Sequence, residues 1–194
     1  MTNVLDLSHP SHECWVCSGG SQPEADDPLA DPSFSVIDSQ IILSNAIFSQ
    51  CPALLKSHGI THIVNVSRDC PQPFEQIPYS PDAACPIYLR VSLDDRPKED
   101  LKPHIYPVIT FIEDALRDPS ARVLIHCVAG ISRSVSILTA FFMYKRSLSA
   151  FEAFDLVHSL RYCAFPNAGF LNQLLCLEGY CHDYGVGPQP IRLM

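Results

Sequence analysis

The stretch Val123-Leu124-Ile125-His126-Cys127-Val128-Ala129-Gly130-Ile131-Ser132-Arg133-Ser134 changes character twice. Arg122 to His126 is a short apolar run bounded by polar residues and predicts a buried strand, while the apolar pattern that resumes from Ser134 to Tyr144 predicts a helix. Between them lies a short turn containing Gly130. A tight loop between a strand and a helix N-terminus aims successive backbone N–H groups at one point, and the helix dipole adds positive potential there. Such a loop is a cradle for phosphate. The same field favours the thiolate of Cys127, the form a phosphorus centre requires as nucleophile. Arg133 adds a planar, permanently charged fork that can grip two phosphate oxygens and stabilise charge spreading over them. Lys would not reproduce that geometry. Ser134 can donate a hydrogen bond to the Cys127 sulfur and help it leave, and Val128, Ala129, Gly130, Ile131 and Ser132 would line the cradle with Arg133. A buried Cys at a strand end is ordinary by itself; it would leave Arg133 and Ser134 unexplained.

Working outward, alternating elements surround this loop. Phe34 to Ile37 and Ile41 to Leu43 read as an opening pair of strands. Pro52 to His58 reads as a short helix closed by Gly59, and Ile60 to Val66 as a strand apolar enough for a sheet centre. Ser67 to Pro86 is a long, proline-rich connection, and Ile87 to Leu93 is the next strand. Ile105, Val108, Ile109, Ile112 and Leu116 recur at helical spacing, which predicts a helix from Pro103 to Arg117 that Pro107 delays or bends. Ser149-Ala150-Phe151-Glu152 has the pattern of a capping box, with Phe151, Phe154 and Val157 on the inward face of the helix it opens. Pro166-Asn167 opens another, whose apolar face is Phe170, Leu174, Leu177 and Cys181. Alternating strands and helices predict an α/β domain, with a central, mostly parallel twisted sheet flanked by helices and the phosphate loop between a strand and a helix.

The 194-residue length suits one domain. Residues 1–33 mix Ser, Pro, Asp and Gly without periodic hydrophobicity and are expected to form a flexible tail. Residues 34–185 are the expected domain, and 186–194 a short second tail. His9, His12, Cys14 and Cys17 are potential metal ligands, but they lack the second half of a zinc pattern, so no metal site is expected. No apolar run approaches the roughly 20 residues needed to span a bilayer, and the N-terminus carries no signal-peptide pattern. Nine cysteines in a chain of this size fit reduced thiols in the cytosol or nucleus better than a disulfide framework. A formal charge of -8 argues against nonspecific attraction to nucleic acid or anionic lipid. The attraction for phosphate must then be local.

The loop from His126 to Ser134 resembles the signature loop of cysteine-dependent phosphatases, specifically the small dual-specificity protein phosphatases. Ala140-Phe141-Phe142-Met143, and Arg161 followed by Pro166-Asn167-Ala168-Gly169-Phe170, resemble helix landmarks of that family, and the likeness covers residues 34 to 182. Tyr162 departs from it, standing where small members often have Pro. The resemblance implies a general acid on a loop after the strand that precedes the long helix, a place filled by Leu93-Asp94-Asp95-Arg96-Pro97. Setting Val91-Ser92-Leu93 against the family's strand end puts Asp95 at the acid position and Asp94 beside it. The competing reading is that both aspartates solvate a turn or cap the following helix. The resemblance also implies that His126, read from the sequence as a core histidine bonded to backbone, supports the loop rather than acting as a base, and that Asn65 holds loop backbone, although an ordinary turn Asn fits that position almost as well.

The expected reaction is hydrolysis of phosphate esters on Tyr and on Ser or Thr of phosphoprotein substrates, in two steps and without metal or other cofactor. Cys127 attacks, Asp95 protonates the leaving oxygen, and a water activated by Asp95 hydrolyses the phosphocysteine. Dual specificity is what the likeness to small, single-domain members implies. Two alternatives stand beside this reading: a non-catalytic phosphate-binding module, and a phosphatase of non-protein phosphate esters. Arg68 and Arg96 are the other basic residues that could meet substrate. Oligomeric state and physiological substrate are not legible.

Overall fold

The computed structural model describes residues 33–71 and 85–179. The N-terminal segment with His9, His12, Cys14 and Cys17, most of the proline-rich connection, Cys181 and the C-terminal tail lie outside the described residues. The elements are β1 (Phe34–Val36), β2 (Ile41–Ser44), α1 (Ala46–Ser49), α2 (Pro52–Ser57), β3 (His62–Asn65), β4 (Ile87–Arg90), α3 (Lys102–Ala115), β5 (Val123–His126), α4 (Arg133–Arg146), α5 (Ala150–Leu160) and α6 (Ala168–Gly179).

The strands form one sheet in the order β1-β2-β5-β3-β4. β1 is antiparallel to β2, and the other pairings are parallel. All four residues of β5 are buried, as its central position requires. His126 at the end of β5 pairs with Ser44 of β2 and Asn65 of β3, and Asn65 pairs with Arg90 of β4. These parallel strands therefore end level. Asn45, Val66, Val91 and Cys127 all leave the sheet at one edge, the carboxyl end where ligands of open parallel sheets bind.

Side chains alternate between the two faces, as strand geometry dictates. Ile41, Leu43, Val64, Val123 and Ile125 pack with the buried faces of α3, α4, α5 and α6. Ile42, Ile63 and Leu124 point the other way, toward Phe48 of α1, Leu55 of α2 and Ile60. The result is a sheet flanked by helices on both faces. α4 is buried along Arg133 to Phe142, which seats the helix that follows the Cys127 loop in the core.

α3 runs from Lys102 through Pro107 to Ala115, so of the two effects expected of Pro107 a delayed start is not seen. The missing N–H would have reached the Pro103 carbonyl, and both prolines are exposed, where water can satisfy that carbonyl. The Ser149 capping box is present, but Phe151 does not face inward: it is 72% exposed. Val157 is buried as expected, and Ala150 and Ala153 rather than Phe151 complete the buried stripe. The short helix α1, capped by Asn45 accepting from the Phe48 N–H, was not foreseen, because one turn is too short for a periodic signal.

Candidate active site

Cys127 is the first residue after β5, and its side chain is buried. Two donors converge on its sulfur: the Gly130 N–H at 3.2 Å and the Ser134 hydroxyl at 3.2 Å. Both stabilise negative charge on Sγ. The loop between them is held open by fastening its carbonyls outward. The Val128 carbonyl accepts from the Ala46 N–H at 2.9 Å, and the Ile131 carbonyl accepts from the Phe165 N–H at 2.8 Å. The Gly130 carbonyl accepts from Nε of Arg161 at 2.8 Å. The Ser132 carbonyl accepts from both the N–H and the hydroxyl of Ser136, each at 2.8 Å. With the carbonyls turned out, the N–H groups of Val128, Ala129, Ile131, Ser132 and Arg133 have no acceptor among the described residues. They are the donors an anion would satisfy.

Gly130 is required twice over. Its φ of +69° lies in the left-handed region, and an added Cβ would fall 2.5 Å from the Ser44 carbonyl oxygen and 2.9 Å from the Asn45 nitrogen. Only glycine lets the loop pass this close to the end of β2.

Arg133 is 9% exposed, with Nη1 3.5 Å from the Leu93 carbonyl oxygen. Its Nε lies 3.5 Å from Oδ2 of Asp95, a contact between charges without hydrogen-bond geometry. Asp95 is drawn to the loop by two further bonds: its Oδ1 accepts from the Ser132 hydroxyl at 2.6 Å and from Nδ2 of Asn167 at 2.9 Å. The Asn167 N–H in turn donates to the Ser132 hydroxyl oxygen at 3.1 Å. Asp94 points elsewhere and pairs with the half-exposed Arg68, Oδ1 to Nε 3.2 Å. Of the two aspartates, Asp95 meets the catalytic loop and Asp94 does not. Arg96 is exposed on the same segment.

Two supporting residues flank the loop. Asn65 is buried, but its bonds go to its own following segment: Nδ2 donates to the Cys70 carbonyl at 3.1 Å, and Oδ1 accepts from the Ser67 hydroxyl at 2.8 Å. It holds the turn after β3 rather than the catalytic loop. His126 is buried with Nδ1 3.3 Å from the Cys127 carbonyl oxygen and 4.0 Å from the Cys70 sulfur. Burial pushes its pKa down to about 4, so it is neutral near pH 7. Burial likewise pushes the adjacent Cys70 thiol up. Arg161 and Asn167 were visible in the sequence only as landmarks. Their bonds to Gly130 and Asp95 join residues 31 and 72 positions apart, a separation no local pattern reports.

Among the described residues, no three His, Cys, Asp or Glu side chains come together as a metal site, and no helix is long and apolar enough to cross a membrane.

Comparison with known proteins agrees with this geometry. The family described as "Dual specificity phosphatase, catalytic domain" matches residues 41–179. Dual specificity phosphatase 28 of Homo sapiens is 36% identical over 175 residues, covering 85% of this chain and 94% of that protein. Protein-tyrosine-phosphatase MKP1 of Arabidopsis thaliana is 32% identical over 191 residues, 98% of this chain but 23% of that much longer protein. The chain likewise spans only 33% of dual specificity protein phosphatase 4 of Homo sapiens, to which it is 37% identical over 138 residues. The crystal structure of human dual specificity phosphatase 28 superposes with a TM-score of 0.67 at 34% identity, covering 78% of this chain and 96% of that one. A glycine-containing strand-to-helix loop around a buried cysteine, on this sheet and with this match along its length, places the chain in the dual specificity phosphatase family.

Proposed function

We propose that the chain hydrolyses phosphotyrosine and phosphoserine or phosphothreonine on proteins through a phosphocysteine at Cys127. The observation that carries the reading is the convergence of the Gly130 N–H and the Ser134 hydroxyl on the Cys127 sulfur, inside a loop whose other N–H groups await an anion. The sulfur attacks phosphorus and the bond to the leaving oxygen breaks. Asp95 gives that oxygen its proton. Ser132 and Asn167 hold its carboxylate beside the loop through Oδ1. In the second step a water passes its proton to Asp95 and attacks the phosphocysteine, and phosphate leaves. The Ser134 hydroxyl then stabilises the departing thiolate. Arg133 holds the equatorial oxygens throughout. The chemistry needs no cofactor.

A protein substrate suits the rim. Val128 is 46% and Phe165 68% exposed beside the loop, and Val128, Ala129, Ile131 and Ser132 carry no charge. One phosphate can be met by Arg133 and the backbone; a highly charged inositol ring would find little compensation in a chain of net charge -8. Residues 34–185 are taken as the working domain, between tails 1–33 and 186–194. Cys70, Cys127 and Cys176 are free thiols, which suits a reducing cytosol or nucleus.

Turnover of p-nitrophenyl phosphate by the purified chain, beside a Cys127→Ser control, is the test. Turnover lost only in the control is expected. Phosphate binding without turnover would favour a non-catalytic module, and higher efficiency on phosphoinositides than on every phosphopeptide tried would overturn the protein substrate.

A further inference from the structure

The segment from Val91 to Leu101 carries Asp95 but has no regular structure of its own. It is anchored at its two ends, where Leu93 and Leu101 are fully buried, and between them Asp95 to Lys98 are exposed. An exposed irregular segment would ordinarily leave its carboxylate free to wander. Here α6 grips it at successive points. Asn167, just before α6, bonds Asp95. Gly169 lies so close to Pro97 that an added Cβ would overlap the Pro97 carbonyl group. Gln173 then spans the far end: its Nε2 donates to the Glu99 carbonyl at 2.8 Å, and its Oε1 accepts from the Leu101 N–H at 2.8 Å.

The spacing explains the grip. Gly169 and Gln173 are one turn apart on one face of α6, while Phe170 and Leu174 on the adjoining face are buried in the core. The core side fixes the helix, and the other side lays it along the Asp95 segment. Leu101, the N-cap of α3, has no side-chain cap, so Gln173 also takes the backbone N–H that enters α3.

We propose that Gln173 is a positioning residue for proton transfer by Asp95, its amide fixing the Glu99 to Leu101 backbone and so the reach of Asp95 over the catalytic loop. This rests on the phosphatase reading above. The test uses the purified full chain and kcat/KM, which reports the steps through phosphorylation of Cys127. Two aryl phosphates are compared: phenyl phosphate, whose leaving group needs the proton, and an ester of a strongly acidic phenol, whose leaving group does not. Gln173→Met should lower kcat/KM about tenfold on phenyl phosphate and leave the acidic ester within about twofold, because only the acid-assisted step loses its alignment. Gln173→Glu keeps an acceptor for the Leu101 N–H and should fall between. Gly169→Ala, which pushes Pro97 away from α6, should show the same leaving-group signature. An equal loss on both esters, or no loss on either, overturns the positioning role while leaving the phosphatase reading in place. An unmodified chain inactive on both esters overturns both.

Discussion

The catalytic loop and the Asp95 segment lie side by side at one edge of the sheet and are held by different means. The loop from Cys127 to Ser134 runs from a fully buried strand into a buried helix, and its Val128, Gly130, Ile131 and Ser132 carbonyls each accept from a protein donor within 2.9 Å. The Asp95 segment is largely exposed and borrows its order from Asn167, Gly169 and Gln173. A site that must present the same anion cradle at every turnover is built rigid. The proposed proton donor is instead built on a segment that a separate helix holds in place.

That difference predicts a ranking of substitutions. Cys127→Ser should lower kcat on the order of 10⁴-fold or more while keeping phosphate affinity, because the nucleophile is lost and the cradle is not. Loss of affinity in parallel would show that the sulfur shapes the loop as well. Gly130→Ala attacks the cradle itself: with the left-handed φ and the Ser44 clash together, a loss of about 10³-fold and a lower thermal midpoint are expected. Near-normal kinetics in that variant would mean that the loop can take another path.

Asp95→Asn tests the second region. It should slow kcat/KM for phosphothreonyl peptides about 10²-fold and leave an ester with an acidic leaving group nearly unchanged, with Asp94→Asn milder. If the leaving-group signature appears in the Asp94 variant instead, the assignment of the two is reversed.

The smallest effect concerns stability. His126 has a folded pKa of about 4 against 6.5 when unfolded, so in this window the unfolded chain binds the extra proton and stability falls as pH falls. Between pH 7 and pH 5 this group should remove about 2 kcal/mol. His126→Gln, measured by urea unfolding at the two pH values, should flatten that slope. An unchanged slope would exclude His126 as its source.

Legibility in the sequence divides along the same line. The loop was readable because strand, turn and helix are contiguous, and Cys127, Gly130, Arg133 and Ser134 owe their places to that local geometry. Strand positions were readable from short apolar runs, but their order in the sheet was not, because pairing such as Asn65 with both His126 and Arg90 is set by distant chain. On α5 the small residues Ala150 and Ala153 face the core while Phe151 faces solvent; the eye follows bulk, and the capping box sets the phase. The grip of Gln173 on Glu99 spans 74 positions and leaves no periodic trace, so only the folded chain reveals it.

The central claim is that Cys127 becomes the phosphorylated residue, and acid-quenched labelling tests it most directly. The purified chain is mixed with a ³²P-labelled phosphotyrosyl peptide, stopped in acid within milliseconds and digested, and the labelled fragment is identified. The label should lie on the fragment containing Cys127 and vanish in Cys127→Ser. Label on another residue, or turnover with no labelled enzyme at any time point, would contradict it.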